Sequence, residues 1–430
     1  MLRNFNNLIR SYANSSGNLQ KEALRIFVEM RRSGALPNEH TYPFVFKACS
    51  SIANLTDGRQ VHSDVVKHGL ASNVYVQNTL IHFYGCCKNV IDAYKVFDEM
   101  SFRTVVSWNS ILSAFIESSW FDESVDVFFK MRRSGIQPGE TTMVILLSAC
   151  SEIGNLSLGK WIHSQVIVRG LVMNCQLGTA LVDMYGKSGN VGNARLVFDR
   201  MSERNVWTWS AMILGLAQHG FANQALELFQ MMDMCSIRPN YVTFLGVLTA
   251  CSHAGLVDDG RRFFNEMEHI HKIKPKIVHY GAMVDILSRA GRLQEGYDFI
   301  LKMPVKDDPI TWRTLLSACN IHDVNDSTGI GEKVRQRLLE LEPRRGENLV
   351  MVANKYAEIG MWEESERLRK KMRDRGLKKV RGESWIDVDG SVFRFLSGTD
   401  FQVPSEDIYV LAERLNLHTK MVHSVHCDYD

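Results

Sequence analysis

The 430-residue sequence lacks the patterns that mark redox, metal and membrane proteins. Its nine cysteines contain no Cys-x-x-Cys spacing, and an odd number of thiols in apolar helical contexts indicates a reducing compartment without a disulfide framework. No apolar run approaches the length that crosses a bilayer. The formal net charge is only +2, too small to drive nucleic-acid binding through bulk charge. Any contact with a polyanion must therefore depend on local placement of residues.

Repetition is the dominant feature of what the sequence does contain. Cys49, Cys150 and Cys251 recur with a period of 101 residues. A Phe-x-x-Met motif follows the same period and ends at Met30, Met100, Met131, Met201, Met232 and Met267. The intervals between these methionines are 70, 31, 70, 31 and 35 residues, so the period divides into blocks of 35, 35 and 31. A fixed period indicates one structural unit copied end to end.

Each block has the pattern of two short helices. Within residues 206–240, apolar residues recur at helical spacing, stop at His219 and Gly220, and resume until Met232. Pro239 then closes the unit, because proline ends one helix and favours the start of the next. Neither helix can bury its apolar stripe alone, so the hairpins must stack on their neighbours. The predicted fold is all-α: an α-solenoid superhelix of helix-turn-helix repeats.

These lengths and motifs resemble those of plant pentatricopeptide repeat proteins of the PLS subgroup, E/E+ class. In that subgroup, repeats of 35, 35 and fewer residues alternate. We expect a right-handed superhelix, although periodicity alone does not determine handedness. Nine repeats are expected within residues 1–308, with bounds at about 2–38, 39–73, 74–104, 105–139, 140–174, 175–205, 206–240, 241–276 and 277–308.

The sequence after residue 308 departs from the repeat pattern. Segments that begin at Thr311 and Asn348 resemble the paired E motifs of this family, which assigns residues 309–380 to E motifs. Residues 381–430 resemble a truncated E+ segment without a complete DYW deaminase domain. Apolar runs on either side of Asp389 and Gly390 are typical of a β-hairpin over residues 384–396. We expect this hairpin to form a small C-terminal cap.

A repeat that reads RNA needs a surface that stacks a base and a polar pair that senses its Watson–Crick edge. In the family that the chain resembles, the fifth and last residues of a repeat form this pair. Asn at the fifth position favours pyrimidines, and Ser or Thr with a final Asn favours adenine. The resemblance implies pyrimidine readers at Asn6 with Asn38, Asn78 with Thr104, and Asn109 with Gly139, and adenine readers at Thr179 with Asn205, and Ser210 with Asn240.

The remaining pairs are expected to contribute little. Pairs in the weakly reading repeats are Pro43 with Asn73, Val144 with Asn174, and Leu245 with Lys276, and no base is assigned to Gly281 with Asp308. Gly139 has no side chain with which to bond a base. Every Asn, Ser or Thr in these pairs also has an alternative role as a helix cap or turn residue.

No catalytic or metal site is predicted. A zinc-dependent cytidine deaminase needs a His-x-Glu motif and a Cys-x-x-Cys motif, and the sequence has neither. The histidines and the cysteine within residues 418–427 are better explained as a frayed polar tail. His62 and His163, at equivalent points of the period, are expected to be packing or surface residues. We therefore predict a protein that is not an enzyme and needs no cofactor.

A basic segment lies between Arg367 and Arg381. Its candidate phosphate contacts are Arg369, Lys370, Lys371, Lys378 and Lys379. A solvated helix face explains the same residues equally well.

The N-terminal residues allow two interpretations. Arg3, Arg10 and Lys21 precede the first acid, Glu22, which is typical of an organellar transit peptide. Residues 5–9 instead match the first helix of a repeat, and this interpretation is favoured. A transit peptide is thus not evident in this chain.

The resemblance implies a sequence-specific, single-stranded RNA-binding protein that recognises sites of C-to-U editing in a plant organelle, the mitochondrion or alternatively the chloroplast. The expected partners are organellar RNA, a DYW-type deaminase recruited in trans and multiple organellar editing factors, and no membrane. One alternative is a factor for organellar RNA splicing or transcript stabilisation. Another, different in class, is a helical scaffold that binds peptides.

Overall fold

The computed structural model describes residues 2–15, 19–322 and 327–377, together with the backbone of residues 383–388 and 391–396. The chain divides into two compact units, Met1–Pro343 and Arg344–Asp430. Helices of the first unit are α1 Leu2–Asn14, α2 Leu19–Arg32, α3 Tyr42–Ser51, α4 Leu55–Lys67, α5 Val74–Cys86, α6 Val90–Asp98, α7 Val105–Glu117, α8 Phe121–Arg133, α9 Glu140–Ile153, α10 Leu156–Val168, α11 Cys175–Lys187, α12 Val191–Arg200, α13 Val206–Gln218, α14 Ala222–Met234, α15 Tyr241–Ala254, α16 Val257–His269, α17 Ile277–Arg289, α18 Leu293–Lys302, α19 Pro309–His322 and α20 Ile330–Leu341.

Consecutive helices of the first unit form pairs, and the first helix of one pair packs on the first helix of the next. Contacts of α5 with α7 and of α13 with α15 show this stacking. Helices α13 and α14 end and begin on either side of His219 and Gly220, where Gly220 adopts φ 81°. One helix pair lies within each of the nine predicted repeats. The predicted all-α stack of helix pairs is therefore confirmed for this unit.

The periodic Met and Cys residues form the core of this stack. Met30 and Met131 of the Phe-x-x-Met motifs are fully buried. Cys49, Cys150 and Cys251 are also fully buried, and burial raises the pKa of each of their thiols to about 12. A thiol that stays protonated packs as a small apolar group, as the sequence pattern predicts.

Glycines at a matched point of the period let the second helix of a pair approach the next first helix closely. A Cβ atom at Gly58 would lie 1.9 Å from Cζ of Phe83, and one at Gly159 would lie 2.3 Å from Sδ of Met184. Real Cβ atoms do not come this near to a neighbour, so a larger residue at either position would displace the side chain of Phe83 or Met184.

The matched histidines next to these glycines are packing residues. His62 Nδ1 lies 2.9 Å from the hydroxyl of Tyr84, and His163 Nδ1 lies 2.9 Å from the hydroxyl of Tyr185. Burial lowers the pKa of both imidazoles. Each histidine thus joins the second helix of one repeat to the first helix of the next.

The second unit contains α21 Gly346–Glu358 and α22 Trp362–Asp374, which pack on each other, and strands β1 Glu383–Val388 and β2 Ser391–Leu396. The strands pair antiparallel, with Glu383 opposite Leu396. The predicted turn residues 389–390 lie outside the described residues. The predicted cap on the solenoid is not supported. Right-handedness stays a prediction.

Two further sequence interpretations concern helices. Residues 2–14 form helix α1 and pack against α2, which is the arrangement expected of a repeat. Within the described part of the chain, each helix is too short or too polar to span a lipid bilayer.

Candidate nucleic-acid interface

The last residue of most predicted repeats begins the next helix as its N-cap. Asn73 Oδ1 accepts hydrogen bonds from the backbone N–H groups of Tyr75 and Val76 at 3.0 and 3.1 Å. Asn205 Oδ1 accepts two equivalent bonds at 3.0 and 3.1 Å. The helix-cap role is therefore real for these residues, since it satisfies N–H groups that the helix leaves unpaired. The cap occupies the amide oxygen, so the amide nitrogen is the group that a ligand would meet.

A buried polar residue recurs three residues after the end of most predicted repeats. The residues at this position are Thr41, Ser107, Thr142, Thr208, Thr243, His279 and Thr311, each at most 1% exposed. The N–H of Asn240 donates to Thr243 Oγ1 at 3.0 Å, and the N–H of Lys276 donates to His279 Nδ1 at 3.0 Å. Sequence reasoning missed this position. Its signal was a Ser or Thr three residues after the last residue of a repeat.

The first predicted pair is joined directly. Asn6 Nδ2 donates to Asn38 Oδ1 at 3.3 Å. The hydroxyl of Thr41 lies 2.7 Å from Asn6 Oδ1 and 3.0 Å from Asn38 Oδ1, so it bridges the two amides. Both asparagines are partly exposed. The three side chains form one hydrogen-bonded cluster with an accessible edge.

The pair Ser210 and Asn240 is also joined directly, but one member is hidden. Ser210 Oγ donates to Asn240 Oδ1 at 3.1 Å, and its hydroxyl lies 2.7 Å from Thr243 Oγ1. Ser210 is fully buried, so its hydroxyl positions Asn240 without reaching solvent. Asn240 Nδ2 has no hydrogen-bond partner among the described residues. An unpaired buried donor costs free energy until another group pairs with it.

Two pairs are connected through the buried hydroxyl. Thr179 Oγ1 lies 2.7 Å from Thr208 Oγ1, which donates to Asn205 Oδ1 at 3.2 Å. Asn109 Oδ1 accepts from Thr142 Oγ1 at 2.8 Å. The hydroxyl therefore fixes the fifth residue of one repeat relative to the start of the next.

The pair Asn78 and Thr104 is not brought together in the same way. Asn78 is buried, and its Oδ1 has no partner among the described residues. Thr104 Oγ1 lies 3.1 Å from Ser107 Oγ, within the cap of its own helix. Gly139, expected to pair with Asn109, offers only its backbone N–H, which donates to Thr142 Oγ1 at 3.2 Å.

Exposed apolar side chains accompany these pairs at the second residue of a repeat. They are Tyr75, Val106, Trp207 and Val278, with Ile310 at the equivalent point of α19, and are 46% to 63% exposed. The second and fifth residues are three apart, so they share one helix face. The sequence predicts a surface on which a base stacks but does not identify the residues that form it. The available signal was an apolar residue off the buried stripe of each first helix.

Charged residues lie about two turns after the fifth residue of a repeat, towards the end of the same first helix. Lys187 Nζ lies 2.9 Å from Glu152 Oε1 and 3.3 Å from Asp183 Oδ2. Burial lowers the pKa of Lys187, but the two acids outweigh burial and raise it overall. Arg289 Nε similarly lies 2.9 Å from Asp285 Oδ2. At these two points an acid therefore offsets the charge of the base.

Three of the candidate phosphate contacts, Arg369, Lys370 and Lys371, lie on α22 of the second unit. Arg369 and Lys370 are exposed, and Lys371 is half-buried. Arg369 Nη2 donates to Asn354 Oδ1 at 3.3 Å. Lys378 and Lys379, like residues 418–427, lie outside the described residues. A phosphate-binding role for this segment stays a prediction.

Comparison with protein families gives matches over most of the chain. The family described as PPR repeat matches residues 179–206, 207–237 and 278–307. The pentatricopeptide repeat domain matches 2–51, 60–118 and 227–289, and the PPR repeat family matches 103–152. The E motif matches 326–387, which overlaps the predicted E-motif region.

Similar proteins are known from Arabidopsis thaliana. A pentatricopeptide repeat-containing protein is 56% identical over 426 residues, covering 99% of this chain and 83% of that protein. A chloroplastic one is 40% identical, covering 97% of this chain and 51% of its own length. A mitochondrial one is 37% identical, covering 90% of this chain and 60% of its own length. This chain therefore spans only about half of some of its longer relatives.

Among solved structures, the pentatricopeptide repeat protein PPR10 in complex with an 18-nt psaJ RNA element has a similar fold. The TM-score is 0.61 at 18% sequence identity, covering 87% of this chain and 61% of PPR10. Identity this low establishes the shared solenoid architecture alone.

Proposed function

This chain belongs to the pentatricopeptide repeat family, and from that premise we propose that it binds single-stranded RNA and selects cytidines for conversion to uridine in a plant organelle. Its alternating repeat lengths and E motif are consistent with the PLS subgroup, E class. The family and fold point to a non-enzymatic protein. A separate DYW-type deaminase would therefore perform the reaction.

The observation that carries this proposal is the recurring cluster of a cap, a buried hydroxyl and a fifth residue. At the start of α13, the cap holds Asn205 Oδ1, so Asn205 Nδ2 is oriented away from the helix N-terminus. An amide N–H can donate to N1 of adenine, which is an acceptor on its Watson–Crick edge. Trp207, half exposed beside this amide, offers a face on which a base can stack.

Adenine selection is proposed for the two C-terminal pairs, and the hydrogen bonds of both pairs support it. Thr179 reaches Asn205 through Thr208, and Ser210 reaches Asn240 directly. In both cases a hydroxyl bonds the Asn oxygen, which leaves the amide nitrogen as the donor. Asn205 is exposed, whereas Asn240 Nδ2 is buried and unpaired, so a base must displace its cover before it can accept from that group. Because Ser210 is buried, we assign it the positioning of Asn240 rather than contact with the base.

Pyrimidine selection is proposed for the three N-terminal pairs, with unequal support. Asn6 and Asn38 form a joined, partly exposed cluster. Asn109 is held by Thr142 alone, because Gly139 lacks a side chain. Asn78 is buried and not joined to Thr104, so its selectivity should be weakest. The proposed RNA segment is pyrimidine-n-pyrimidine-pyrimidine-n-adenine-adenine.

Organellar location and partners complete the proposal. Similar proteins of Arabidopsis thaliana carry the words chloroplastic or mitochondrial in their names. We propose the mitochondrion, with the chloroplast as the alternative. The E-motif region and the 384–396 segment would recruit the deaminase, with multiple organellar editing factors assisting. Lys370 and its basic neighbours would contact RNA phosphates.

The test is deep sequencing of organellar cDNA from plants that lack this gene, with complemented plants as the control. We expect one or a few normally edited cytidines to remain unedited, each downstream of the proposed RNA segment, and complementation to restore editing. Intact editing at every site would refute the editing proposal. Retained introns or lost transcripts in the same data would then favour the splicing or stabilisation role.

A further inference from the structure

We infer that His82, Cys86 and Glu117 form a binding site for a divalent transition-metal ion of the zinc type. The site joins the first helices of two neighbouring repeats, α5 and α7. No feature of the repeat pattern predicts it, and it does not depend on the proposed RNA binding.

The positions of the three side chains suit tetrahedral coordination. His82 and Cys86 lie on successive turns of α5, and Cys86 Sγ is 3.6 Å from His82 Nε2. With Zn–S of about 2.3 Å and Zn–N of about 2.0 to 2.1 Å, tetrahedral ligands lie about 3.6 Å apart. One ligand atom from each of the three residues lies within 4.8 Å of the others. Since His82 and Glu117 are exposed, side-chain rotation can close the remaining gap.

Close helix packing places Glu117 at this site. A Cβ atom at Gly85 would lie 2.7 Å from Cβ of Ala114 and 3.4 Å from Glu117 Oε2. Glycine at this point therefore lets α7 approach α5, and the approach brings the carboxylate next to the Cys86 thiol. The ligands are thus held by the backbone of two helices and not by a loop.

The charge balance at the site also favours a cation. At the equivalent point of α9, Glu152 is paired with Lys187 of α11. Glu117 forms no ion pair with any residue that the structure describes. A bound metal ion would supply the missing positive charge and stabilise the thiolate.

The ligand types identify the class of ion. One thiol, one imidazole and one carboxylate suit zinc and its first-row neighbours. Magnesium and calcium prefer oxygen ligands throughout, so they should not compete. Three protein ligands leave a fourth position for water, and the ion would connect the two repeats as a staple.

The test uses the purified full chain, titrated with Zn²⁺ and, as a spectroscopic probe, with Co²⁺. We expect one ion per chain, a thiolate-to-cobalt charge-transfer band, and a rise of the unfolding temperature with Zn²⁺, because an ion that binds only the folded state stabilises it. Cys86→Ser should abolish the band. His82→Gln and Glu117→Gln should each weaken Zn²⁺ binding by at least about tenfold, since even indirect partners of a metal ligand contribute that much.

Cys235→Ser is the matched control, because Cys235 is an exposed thiol on another repeat, and it should leave the band and the affinity unchanged. The inference is overturned if wild-type protein shows no band, or if Cys86→Ser retains it. Should Cys86→Ser fail to fold, the exposed His82→Gln variant decides the question: unchanged Zn²⁺ affinity in that variant would equally overturn the site.

Discussion

Replacing Asn205 by aspartate should exchange the base that this position prefers while leaving the fold intact. Asn and Asp are nearly equivalent as N-cap residues. The backbone N–H groups of Trp207 and Thr208 donate to the amide oxygen of Asn205 at 3.0 and 3.1 Å. A carboxylate oxygen of aspartate can accept the same two bonds. Only the outward group changes, from an N–H donor to an oxygen acceptor. The free energy of unfolding should therefore change little.

The expected effect on RNA is a reversal at the sixth nucleotide of the proposed segment. Adenine N1 would face a carboxylate oxygen instead of an amide donor, whereas guanine presents its N1–H and amino group as donors. A well-placed base contact contributes about 1 to 3 kcal/mol of discrimination. Each 1.4 kcal/mol is a factor of about ten. Asn205→Asp should thus lower the adenine-to-guanine affinity ratio by roughly 5- to 150-fold.

The assay measures equilibrium binding of fluorescent oligonucleotides that differ only at the sixth nucleotide. Fluorescence anisotropy at fixed salt reports the bound fraction. Ratios between oligonucleotides are the relevant quantity, because the added negative charge weakens all RNA binding. Asn73→Asp is the matched control. Asn73 has the same cap geometry but lies in a repeat expected to specify little. An unchanged adenine-to-guanine ratio in Asn205→Asp, at normal stability, would refute the assignment.

Three further predictions concern the residues around the readers. Thr243→Val should destabilise the fold by about 1 to 3 kcal/mol, because it removes a buried hydroxyl bonded to the Asn240 N–H and to Ser210. Chemical denaturation measures this change, and an unchanged midpoint would contradict the prediction. Trp207→Ala should weaken RNA binding by about 1 to 3 kcal/mol through lost stacking. The free energy of unfolding should change little, since Trp207 is half exposed. Equal RNA affinity of the variant and the wild-type protein would exclude a stacking role. Burial lowers the pKa of His279, so the unfolded chain binds that proton more readily and stability should fall as the pH drops below about 6.5. His279→Thr introduces the hydroxyl found at sister positions and should reduce this pH dependence of stability. The part that remains should come from His62 and His163, whose pKa values are also lowered by burial. Thermal unfolding between neutral and mildly acidic pH tests this.

The fold could be predicted because its determinants are local and repeated. Apolar residues at helical spacing define each helix, and Gly220 and Pro239 end the helices of their repeat. The buried Met and Cys residues recur with the period, so one repeat explains the others. Base-reading candidates came from the resemblance to a family, and the recurrent Asn caps are visible in the sequence as well.

What the sequence could not show depends on contacts between repeats. Ser210 shares a helix face with the half-exposed Trp207, yet it is fully buried, and its hydroxyl contacts Thr243 of the next repeat. The bridging role of Thr41 likewise requires the third residue of one repeat to meet the fifth residue of the preceding repeat. The metal site joins His82 and Cys86 to a carboxylate 31 residues away, a spacing that belongs to no metal-binding motif.

The central claim is that the polar clusters of the repeats select RNA sequence. The most direct measurement is sequencing of RNAs that the purified chain retains from a random pool at physiological salt. We expect enrichment of pyrimidine-n-pyrimidine-pyrimidine-n-adenine-adenine, strongest at the two adenines and weakest at the pyrimidine assigned to Asn78. Retention of RNA without sequence enrichment, or no retention at all, would contradict it.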